Sequence, residues 1–428
     1  MTSRLSGHEP LEGAPMTNMT RVSMGATRAD SAAPPTLANA VLRMIWEERR
    51  ISRAEIARRA DLSRSTVSDI VSLLLATTLV VEAGVGESQG GRRPIVLEFQ
   101  DDAFYILGVD LGATHVAVAL TDLRGQVLAW QHREYPVQHD ADGTRALIIA
   151  LCEACLASVA DSPRRLLGIG VALPSPIDPR HPERIHPMAL PSWKGHHGME
   201  QLHTHFHVPV LIDNDANLGA LAEHWWGAAR GLDDFMYLKV ATGVGSGHFI
   251  AGHIYRGASG VAGEIGHLTI DPRGTPCGCG NRGCLVTYVG SDALIARVQE
   301  LFNTFPKSAL RDITLTSTAI EEAALADDPL AVQVVFEAAE YLGIAVAGML
   351  NLMNPAAIVL GGGLARLGER LLVPLRETVL RRTFVSAVAS SEIHTSELGP
   401  RGVAIGAATL MLDAALRDPS LFPVIGAT

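Results

Sequence analysis

Three of the five cysteines in this 428-residue chain fall within eight residues, at Cys277, Cys279 and Cys284, and His267 precedes them by ten residues. Thiolate sulfur and imidazole nitrogen are ligands that zinc prefers, and the glycines between the cysteines permit tight turns around one ion. Three unrelated core thiols are the alternative, but a reduced protein rarely clusters cysteines without metal chemistry. We therefore expect these four residues to hold a structural zinc ion, since four protein ligands leave no open position.

The composition bounds the compartment and the number of domains. Five cysteines are too few for a disulfide scaffold of this length, so we expect a reduced, cytoplasmic protein. With 47% hydrophobic and 19% charged residues the chain should form two or three folded domains. No run of about 18 uninterrupted apolar residues is present, so we expect no membrane partner. Residues 1–36 lack the apolar core of a secretory signal, and we expect a disordered tail there.

Residues 37–100 have the pattern of three helices followed by a hairpin. Ser52 and Glu55 fit a capping box that opens the second helix, and Ser63 fits the N-cap of the third. The third helix carries one apolar stripe, formed by Val67, Ile70, Val71 and Leu74. Only residues 60–62 separate the second and third helices, which is the short turn of a helix-turn-helix. The spacing predicts a winged helix-turn-helix domain at residues 37–100.

A three-helix interaction module with a solvated polar face is the alternative for this segment. The net charge of −10 does not exclude DNA, because residues 37–100 carry nine arginines against eight acids. Two adjacent arginines between glycines and a proline suit contact with phosphate or with the minor groove. We expect DNA contacts from the polar residues of the second and third helices and of the wing, namely Arg53, Ser63, Arg64, Ser65, Thr66, Ser68, Arg92 and Arg93.

Two glycine-containing hairpins are predicted in the remaining chain. The first contains Asp110, Gly112 and Thr114 after an apolar strand, and the second contains Thr242 and Gly243. Small residues let backbone N–H groups approach phosphate oxygens, and a carboxylate at a strand end can hold Mg²⁺ directly or through water. Glycine and aspartate are also ordinary hairpin residues. The first hairpin alone therefore leaves a nucleotide site and a plain turn both open.

A polar junction follows the strand predicted at residues 208–212. Asn214 and Asp215 lie between this strand and a helical segment, where α/β folds place ligands. Asp215 could accept a proton from a substrate hydroxyl, and Asn214 could fix neighbouring hydroxyls. An Asx turn that caps the helix is the alternative.

Across about residues 37–428, these motifs and their order resemble the ROK family (repressors, open reading frames, kinases). The resemblance implies an α/β fold in which a winged helix-turn-helix precedes a two-lobed, actin-like (ribonuclease H-like) ATPase-type core. It implies a first lobe at about residues 101–216 plus 403–428 and a second lobe at about 217–402.

The resemblance also implies roles for single residues. Asp215 matches the base of the sugar kinases, and the positions that match sugar contacts are Asn214, Asp215, Glu264 and His267. His267 also matches a zinc ligand, together with the three clustered cysteines. Members with an added winged helix are similar to sugar-responsive transcription factors.

Three departures from the family pattern affect the ligand. Ala113 stands where the phosphate hairpin usually has glycine, and His115 where it often has lysine, which disfavours a nucleotide. Val286 replaces a carboxylate that would accept sugar hydroxyls, and losing such a contact costs on the order of 1–3 kcal/mol when a hydroxyl is left unpaired. Ser175 stands where glycine is usual.

Two functions remain in view. The first is a sugar-responsive regulator, expected as a repressor of carbohydrate metabolism genes, which binds a double-stranded DNA operator as a homodimer or homotetramer. The second is an ATP- and Mg²⁺-dependent sugar kinase with Asp215 as base and an accessory DNA module. We favour the regulator, because a kinase needs no wing while a sensor needs the pocket but no turnover.

Overall fold

The computed structural model describes residues 37–85, 95–159, 165–383 and 391–422. The predicted tail at residues 1–36 and the wing-tip residues Arg92 and Arg93 lie outside these ranges. The amino-terminal elements are α1 (Leu37–Glu48), β1 (Arg50–Ser52), α2 (Arg53–Arg59), α3 (Arg64–Ala76), β2 (Val80–Val85) and β3 (Ile95–Phe99). The three strands pair antiparallel in the order β1-β3-β2. Helices and sheet together form a winged helix-turn-helix, as predicted.

Local hydrogen bonds fix the start of both helices of the helix-turn-helix. The Ser52 hydroxyl accepts from the Glu55 backbone N–H at 3.2 Å, and the Ser63 hydroxyl accepts from that of Thr66 at 3.1 Å. Such a cap stabilises a helix by about 1 kcal/mol. The apolar stripe predicted for the third helix is buried at all four positions, which are Val67, Ile70, Val71 and Leu74. Capping and helical periodicity are short-range signals, so the sequence was sufficient to predict them.

The first half of the core is built on a five-stranded mixed sheet. Its elements are β4 (Phe104–Leu111), β5 (His115–Thr121), β6 (Val127–Glu134), α4 (Ala141–Ala157), β7 (Arg165–Leu173), α5 (Glu200–Phe206) and β8 (Val210–Asn214). The strand order is β6-β5-β4-β7-β8. Strands β6, β5 and β4 are antiparallel neighbours, whereas β4, β7 and β8 run parallel.

The second half of the core repeats this plan. Its elements are α6 (Asp215–Trp226), β9 (Phe235–Val240), β10 (Val244–Ile250), β11 (His253–Ile254), α7 (Val286–Val289), α8 (Ser291–Leu301), α9 (Ser317–Leu325), α10 (Pro329–Met353), β12 (Ala357–Gly361), α11 (Glu369–Arg382), β13 (Glu392–Thr395) and α12 (Gly402–Arg417). The strand order β11-β10-β9-β12-β13 again places three antiparallel strands beside two parallel ones. This duplication confirms the two-lobed, actin-like core that the resemblance implied.

Helices α6 and α12 lie between the two sheets. Helix α12 packs on β4 and β7 of the first sheet and on α6, while α6 also packs on β9 and β10 of the second. Glycine allows these close contacts, because a Cβ at Gly108 would lie 1.9 Å from the Ala404 carbonyl oxygen and one at Gly406 would lie 1.8 Å from that of Leu218. The lobe bounds proposed from the resemblance, at residues 216/217 and 402/403, fall within α6 and at the start of α12.

Among the described residues, one helix has the length and apolar character of a membrane span. This helix is α10, and 61% of its most apolar window is buried inside the structure. Its buried residues include Leu342, Val346 and Leu350, which pack in the core of the second lobe against α11. The apolar character of α10 is therefore accounted for in large part by core packing.

Candidate ligand cleft, metal centre and DNA-binding surface

The four residues predicted to bind metal come together in the structure. The ligand atoms of His267, Cys277, Cys279 and Cys284 all lie within 4.8 Å of one another. His267 Nδ1 lies 3.6 Å from the Cys277 sulfur, and the Cys279 and Cys284 sulfurs are also 3.6 Å apart. Ligands of a tetrahedral zinc ion lie about 3.3–3.8 Å from one another, given zinc–ligand bonds of about 2.0–2.3 Å. The cluster can hold a metal ion, and its donor set and spacing fit zinc.

Backbone hydrogen bonds shape the metal loop, which carries the three clustered cysteines. The Cys277 N–H donates to the Asn281 carbonyl at 2.8 Å, and the Gly280 N–H donates to the Cys277 carbonyl at 3.0 Å. Gly283 has a φ of +61°, and a Cβ there would lie 1.7 Å from the Asp271 carbonyl oxygen. A hydrogen bond from the Asn281 backbone lowers the pKa of the Cys279 thiol, which favours the thiolate that binds metal.

The metal loop is joined directly to one wall of the interlobe cleft, which we define by Asp110, Asp215, Lys239 and Glu264. Glu264 immediately precedes a 3₁₀ turn that ends at His267, one of the four candidate metal ligands. The Glu264 residue as a whole is exposed to solvent. The protein around its carboxyl group and the Asp215 carboxylate nevertheless raise the pKa of Glu264. The residues come from both halves of the core, since Asp110 lies on β4 of the first sheet and Lys239 on β9 of the second, while Asp215 opens α6 between the two sheets.

Asp215, the predicted base, is engaged in an ion pair that the sequence did not reveal. Lys239 Nζ lies 2.7 Å from Asp215 Oδ2, and the two side chains are only 12% and 13% exposed. Burial lowers the pKa of Lys239. The Asp215 and Asp110 carboxylates outweigh this effect, and the pKa of Lys239 is raised. An alternating apolar strand pattern gives no sign that one buried position holds a lysine paired to the next helix.

Asn214 caps α6. Its Oδ1 accepts from the backbone N–H groups of Ala216 at 2.9 Å and Asn217 at 3.2 Å, and its Nδ2 donates to the Ser175 carbonyl at 3.2 Å. The Asx cap that the sequence left open is therefore present. The sugar contact remains a prediction for this residue, and it would use the hydrogen-bonding capacity that these three bonds leave free.

Asp213 and Arg256 form a second buried ion pair across the cleft, and the sequence did not indicate it. Arg256 Nη2 lies 2.6 Å from Asp213 Oδ2, and the side chains are 13% and 5% exposed. Asp213 lies on β8 of the first sheet, whereas Arg256 follows β11 of the second. The pair therefore connects the two halves of the core beside Asn214 and Asp215.

The predicted nucleotide residues lie in corresponding turns of the two sheets. Asp110, Gly112 and Thr114 lie at the β4–β5 turn, and Thr242 and Gly243 at the β9–β10 turn. The His115 ring covers the first of these turns, since a Cβ at Gly112 would lie 2.2 Å from its Cε1. His115 Nε2 also lies 3.5 Å from Asp110 Oδ2. The departure from the family pattern at position 115 thus changes the surface that a phosphate would meet.

The predicted DNA-contacting residues divide into an exposed set and a paired set. Ser63, Arg64 and Ser65 are exposed at the start of α3, and Thr66 and Ser68 are half-buried. Arg53 donates to Ser68 Oγ at 3.2 Å and to Glu82 Oε1 at 2.7 Å, so it links α2 to α3 and to the wing strand. Arg92 and Arg93 lie outside the described residues.

Comparison with known proteins agrees with this architecture. A model of the ROK family matches residues 106–414, and a model of winged helix-turn-helix DNA-binding domains matches residues 38–76. The chain belongs to the ROK family. It is 32% identical over 387 residues to a xylose repressor of Caldicellulosiruptor bescii, covering 89% of this chain and 96% of the relative. It is also 32% identical over 378 residues to the DNA-binding transcriptional dual regulator NagC of Escherichia coli, covering 88% and 92%.

A solved structure covers both parts of this ROK protein. It is a ROK family transcriptional regulator described as a homologue of the Escherichia coli MLC protein, with a TM-score of 0.76 and 26% identity. The match covers 90% of this chain and 96% of that one. The similarity therefore extends over the winged helix-turn-helix as well as the core.

In this ROK protein the DNA-binding domain is packed against the core through Trp46 of α1. Its ring lies 5.2 Å from that of Trp225 and 6.2 Å from that of Trp226, at the carboxyl end of α6. The Trp46 Nε1–H donates to the Leu123 carbonyl at 3.1 Å, and the Arg124 guanidinium lies 4.4 Å from the Trp46 ring. Asp215 opens the same helix in the cleft. Helix α6 thus runs from the cleft to the DNA-binding domain.

Proposed function

We propose that this ROK protein is a transcriptional regulator that binds an operator in double-stranded DNA and responds to a sugar or sugar derivative in the interlobe cleft. The observation that carries the proposal is the contact of α6 with both sites, with Asp215 at one end and the Trp46 contact at the other. A helix of 12 residues spans about 18 Å, so a shift at the cleft is carried to the domain junction by one rigid element.

The response is closure of the two lobes around the ligand. Closure repositions α6, and with it the winged helix-turn-helix that packs on its carboxyl end. In a homodimer, two such domains read half-sites about 34 Å apart, so a change in their relative placement alters operator affinity. A homodimer is the smallest assembly that this scheme requires, and repression is the expected sense because the two relatives are named as a repressor and a dual regulator.

The ligand is recognised by hydroxyl contacts from Asn214, Asp215, Glu264 and His267. His267 directs Nδ1 toward the Cys277 sulfur, which leaves Nε2 for a sugar hydroxyl. A structural zinc ion at the four-residue cluster would fix this ring and the adjacent Glu264. Among the relatives, one is named a xylose repressor and another an N-acetylglucosamine repressor. We therefore propose a sugar or sugar derivative as the class of ligand and no single sugar.

At the DNA surface, Arg64 is the main candidate for a base or phosphate contact. It is exposed at the amino end of the recognition helix α3, and among the described residues it has no ion-pair partner. Ser63, Ser65 and Thr66 surround it with short hydroxyl donors, although Ser63 already caps the helix. Arg53 and Ser68 position α2 and α3, and the wing arginines Arg92 and Arg93 are proposed to reach the minor groove.

Fluorescence anisotropy on DNA from upstream of the gene, with xylose, N-acetylglucosamine and glucose added in turn, tests this function. We expect wild type to bind and at least one sugar to change the affinity. Arg64→Ala should weaken DNA binding by about 1–3 kcal/mol. The control is Arg184→Ala, since Arg184 is an exposed arginine of the first lobe, outside the DNA-binding domain. Absence of operator binding, or an affinity unchanged by every sugar, would contradict the proposal.

Kinase activity is the second candidate, motivated by the retained Asp215 and by the turn that contains Thr242 and Gly243. Its Oδ2, which would accept the hydroxyl proton, already accepts from Lys239. A coupled ADP-release assay with each sugar compares wild type with Asp215→Asn, and we expect no difference between them. Sugar-dependent ADP release that Asp215→Asn abolishes would favour the kinase.

A further inference from the structure

Lys239 is a buried cation that none of the sequence motifs predicted. The chain has three lysines, Lys194, Lys239 and Lys307, against 35 lysines and arginines in total. Of the three, only Lys239 lies in a core strand, where it pairs with Gly245 on one side and Gly361 on the other. A buried charge costs free energy unless it is paired with an opposite charge. The groups that lie beside Lys239 therefore indicate its role.

Lys239 forms an ion pair with one carboxylate at the meeting point of the lobes, and a second carboxylate, Asp110, attracts it electrostatically. Asp215 Oδ2 lies 2.7 Å from the ammonium nitrogen. Asp110 is 4% exposed, and its Oδ1 has no hydrogen-bond partner among the described residues. Burial raises the pKa of Asp110, but Lys239 and His115 outweigh this effect and hold the pKa below its ordinary value. The positive charge of Lys239 therefore stabilises the Asp110 carboxylate and pairs directly with Asp215.

In a phosphate-transferring site, carboxylates at such a place bind a divalent cation that arrives with the nucleotide. The residues present do not fit that cation and its nucleotide. The Asp215 carboxylate is already paired with Lys239, and the His115 ring covers Gly112 in the turn that would receive the phosphates. Ala113 adds a side chain to the same turn. The chain itself thus supplies a positive charge beside these carboxylates.

We propose that Lys239 takes the place of a nucleotide-bound divalent cation beside Asp110 and Asp215, so that the cleft binds an uncharged polyhydroxy ligand and does not accept magnesium nucleotide. The Lys239–Asp215 pair suits a hydroxyl group, which donates to the carboxylate and accepts from the ammonium ion. That ligand class rests on the proposed function, whereas the replacement of the cation does not.

Manganese binding to the zinc-loaded, full-length protein tests the replacement, with the EPR signal of free Mn²⁺ as the readout. We expect Lys239→Gln to gain about one Mn²⁺ per chain relative to wild type, because two carboxylates lose their cation. The gain should vanish in Lys239→Gln combined with Asp110→Asn. Lys307→Gln, the same change at an exposed lysine, should behave as wild type.

Two further measurements complete the test. Circular dichroism establishes that each variant is folded, and Lys239→Met, which keeps the apolar stem of lysine, replaces Lys239→Gln if the latter does not fold. The unfolding temperature of wild type should not rise with Mg²⁺ and a non-hydrolysable ATP analogue.

The proposal is overturned if the folded Lys239 variants gain no Mn²⁺, if wild type already has a Mn²⁺ site that Asp110→Asn abolishes, or if the nucleotide stabilises wild type. None of these measurements involves DNA or a sugar. A failure of operator binding would therefore contradict the proposed function alone, and a failure here would contradict the role of Lys239 alone.

Discussion

At the scale of single residues, the candidate sites are defined by the cluster of His267 with three cysteines, the cap at Asn214 and the pairing of Asp215 with Lys239. The clustered cysteines predicted a metal centre because ligand spacing is a local property, and the structure brings all four ligands together. Asn214 allowed two interpretations, and the structure shows that it caps α6. Asp215 was predicted as a base, and only the fold revealed that Lys239 pairs with it.

The metal centre gives a prediction at this scale. Cys279→Ser removes one of four ligands, so zinc measured by mass spectrometry should fall from about one per chain to a small fraction of that. Loss of the ion should lower the free energy of unfolding by about 2 kcal/mol, which corresponds to a fall of about 4–8 °C in the thermal unfolding temperature. Cys152→Ala, at a buried thiol outside the cluster, should keep its zinc. Full zinc occupancy in Cys279→Ser would rule out this ligand set.

At the scale of elements, α6 carries more of the function than its sequence suggested. The sequence predicts a polar junction at the amino end of this helix and only a helical segment beyond it. The Trp225 and Trp226 rings there contact Trp46, and the Trp226 Nε1–H donates to Thr409 of α12 at 2.8 Å. Aromatic residues at a helix end are not distinctive in a sequence, since their role depends on which domain packs there.

The Trp46 contact gives a prediction for the coupling between sites. Trp46→Ala removes the ring contacts with Trp225 and Trp226 of α6 and the hydrogen bond to Leu123, so sugar binding should no longer reposition the DNA-binding domain efficiently. Coupling free energies are typically about 1–3 kcal/mol, and we expect the value to fall below about 1 kcal/mol in this variant. Anisotropy with and without the most effective sugar measures it. Trp130→Ala, on β6, is the matched control, and equal coupling in both variants would exclude this route.

At the scale of the whole molecule, two lobes with similar sheets meet at α6 and α12 and at a buried ion pair. The family resemblance implied the two lobes, but the strand order of their sheets came from the structure, since hydrophobic periodicity predicts strands without their order. Asp213 and Arg256 connect the lobes although they lie 43 residues apart in sequence. Their pairing depends on the position of β8 relative to the loop after β11.

The interlobe pair gives a prediction for stability. Arg256→Met leaves the buried Asp213 carboxylate without its cation, so the free energy of unfolding should fall by about 3–5 kcal/mol. Asp213→Asn combined with Arg256→Met should recover a substantial part of this loss, because no unpaired charge remains. Thermal and urea unfolding measure both variants. Equal stability of Arg256→Met and wild type would show that the pair does not hold the lobes together.

The sequence by itself determined the helix-turn-helix, the cluster of candidate metal ligands and the polar turns, because caps, helical periodicity and ligand spacing act over a few residues. Tertiary structure alone decided which charges meet, since Lys239 with Asp215 and Asp213 with Arg256 require strands of two sheets to be placed side by side. It also decided that α6 contacts Trp46. Such contacts depend on sheet order and on helix placement, which no short-range pattern specifies.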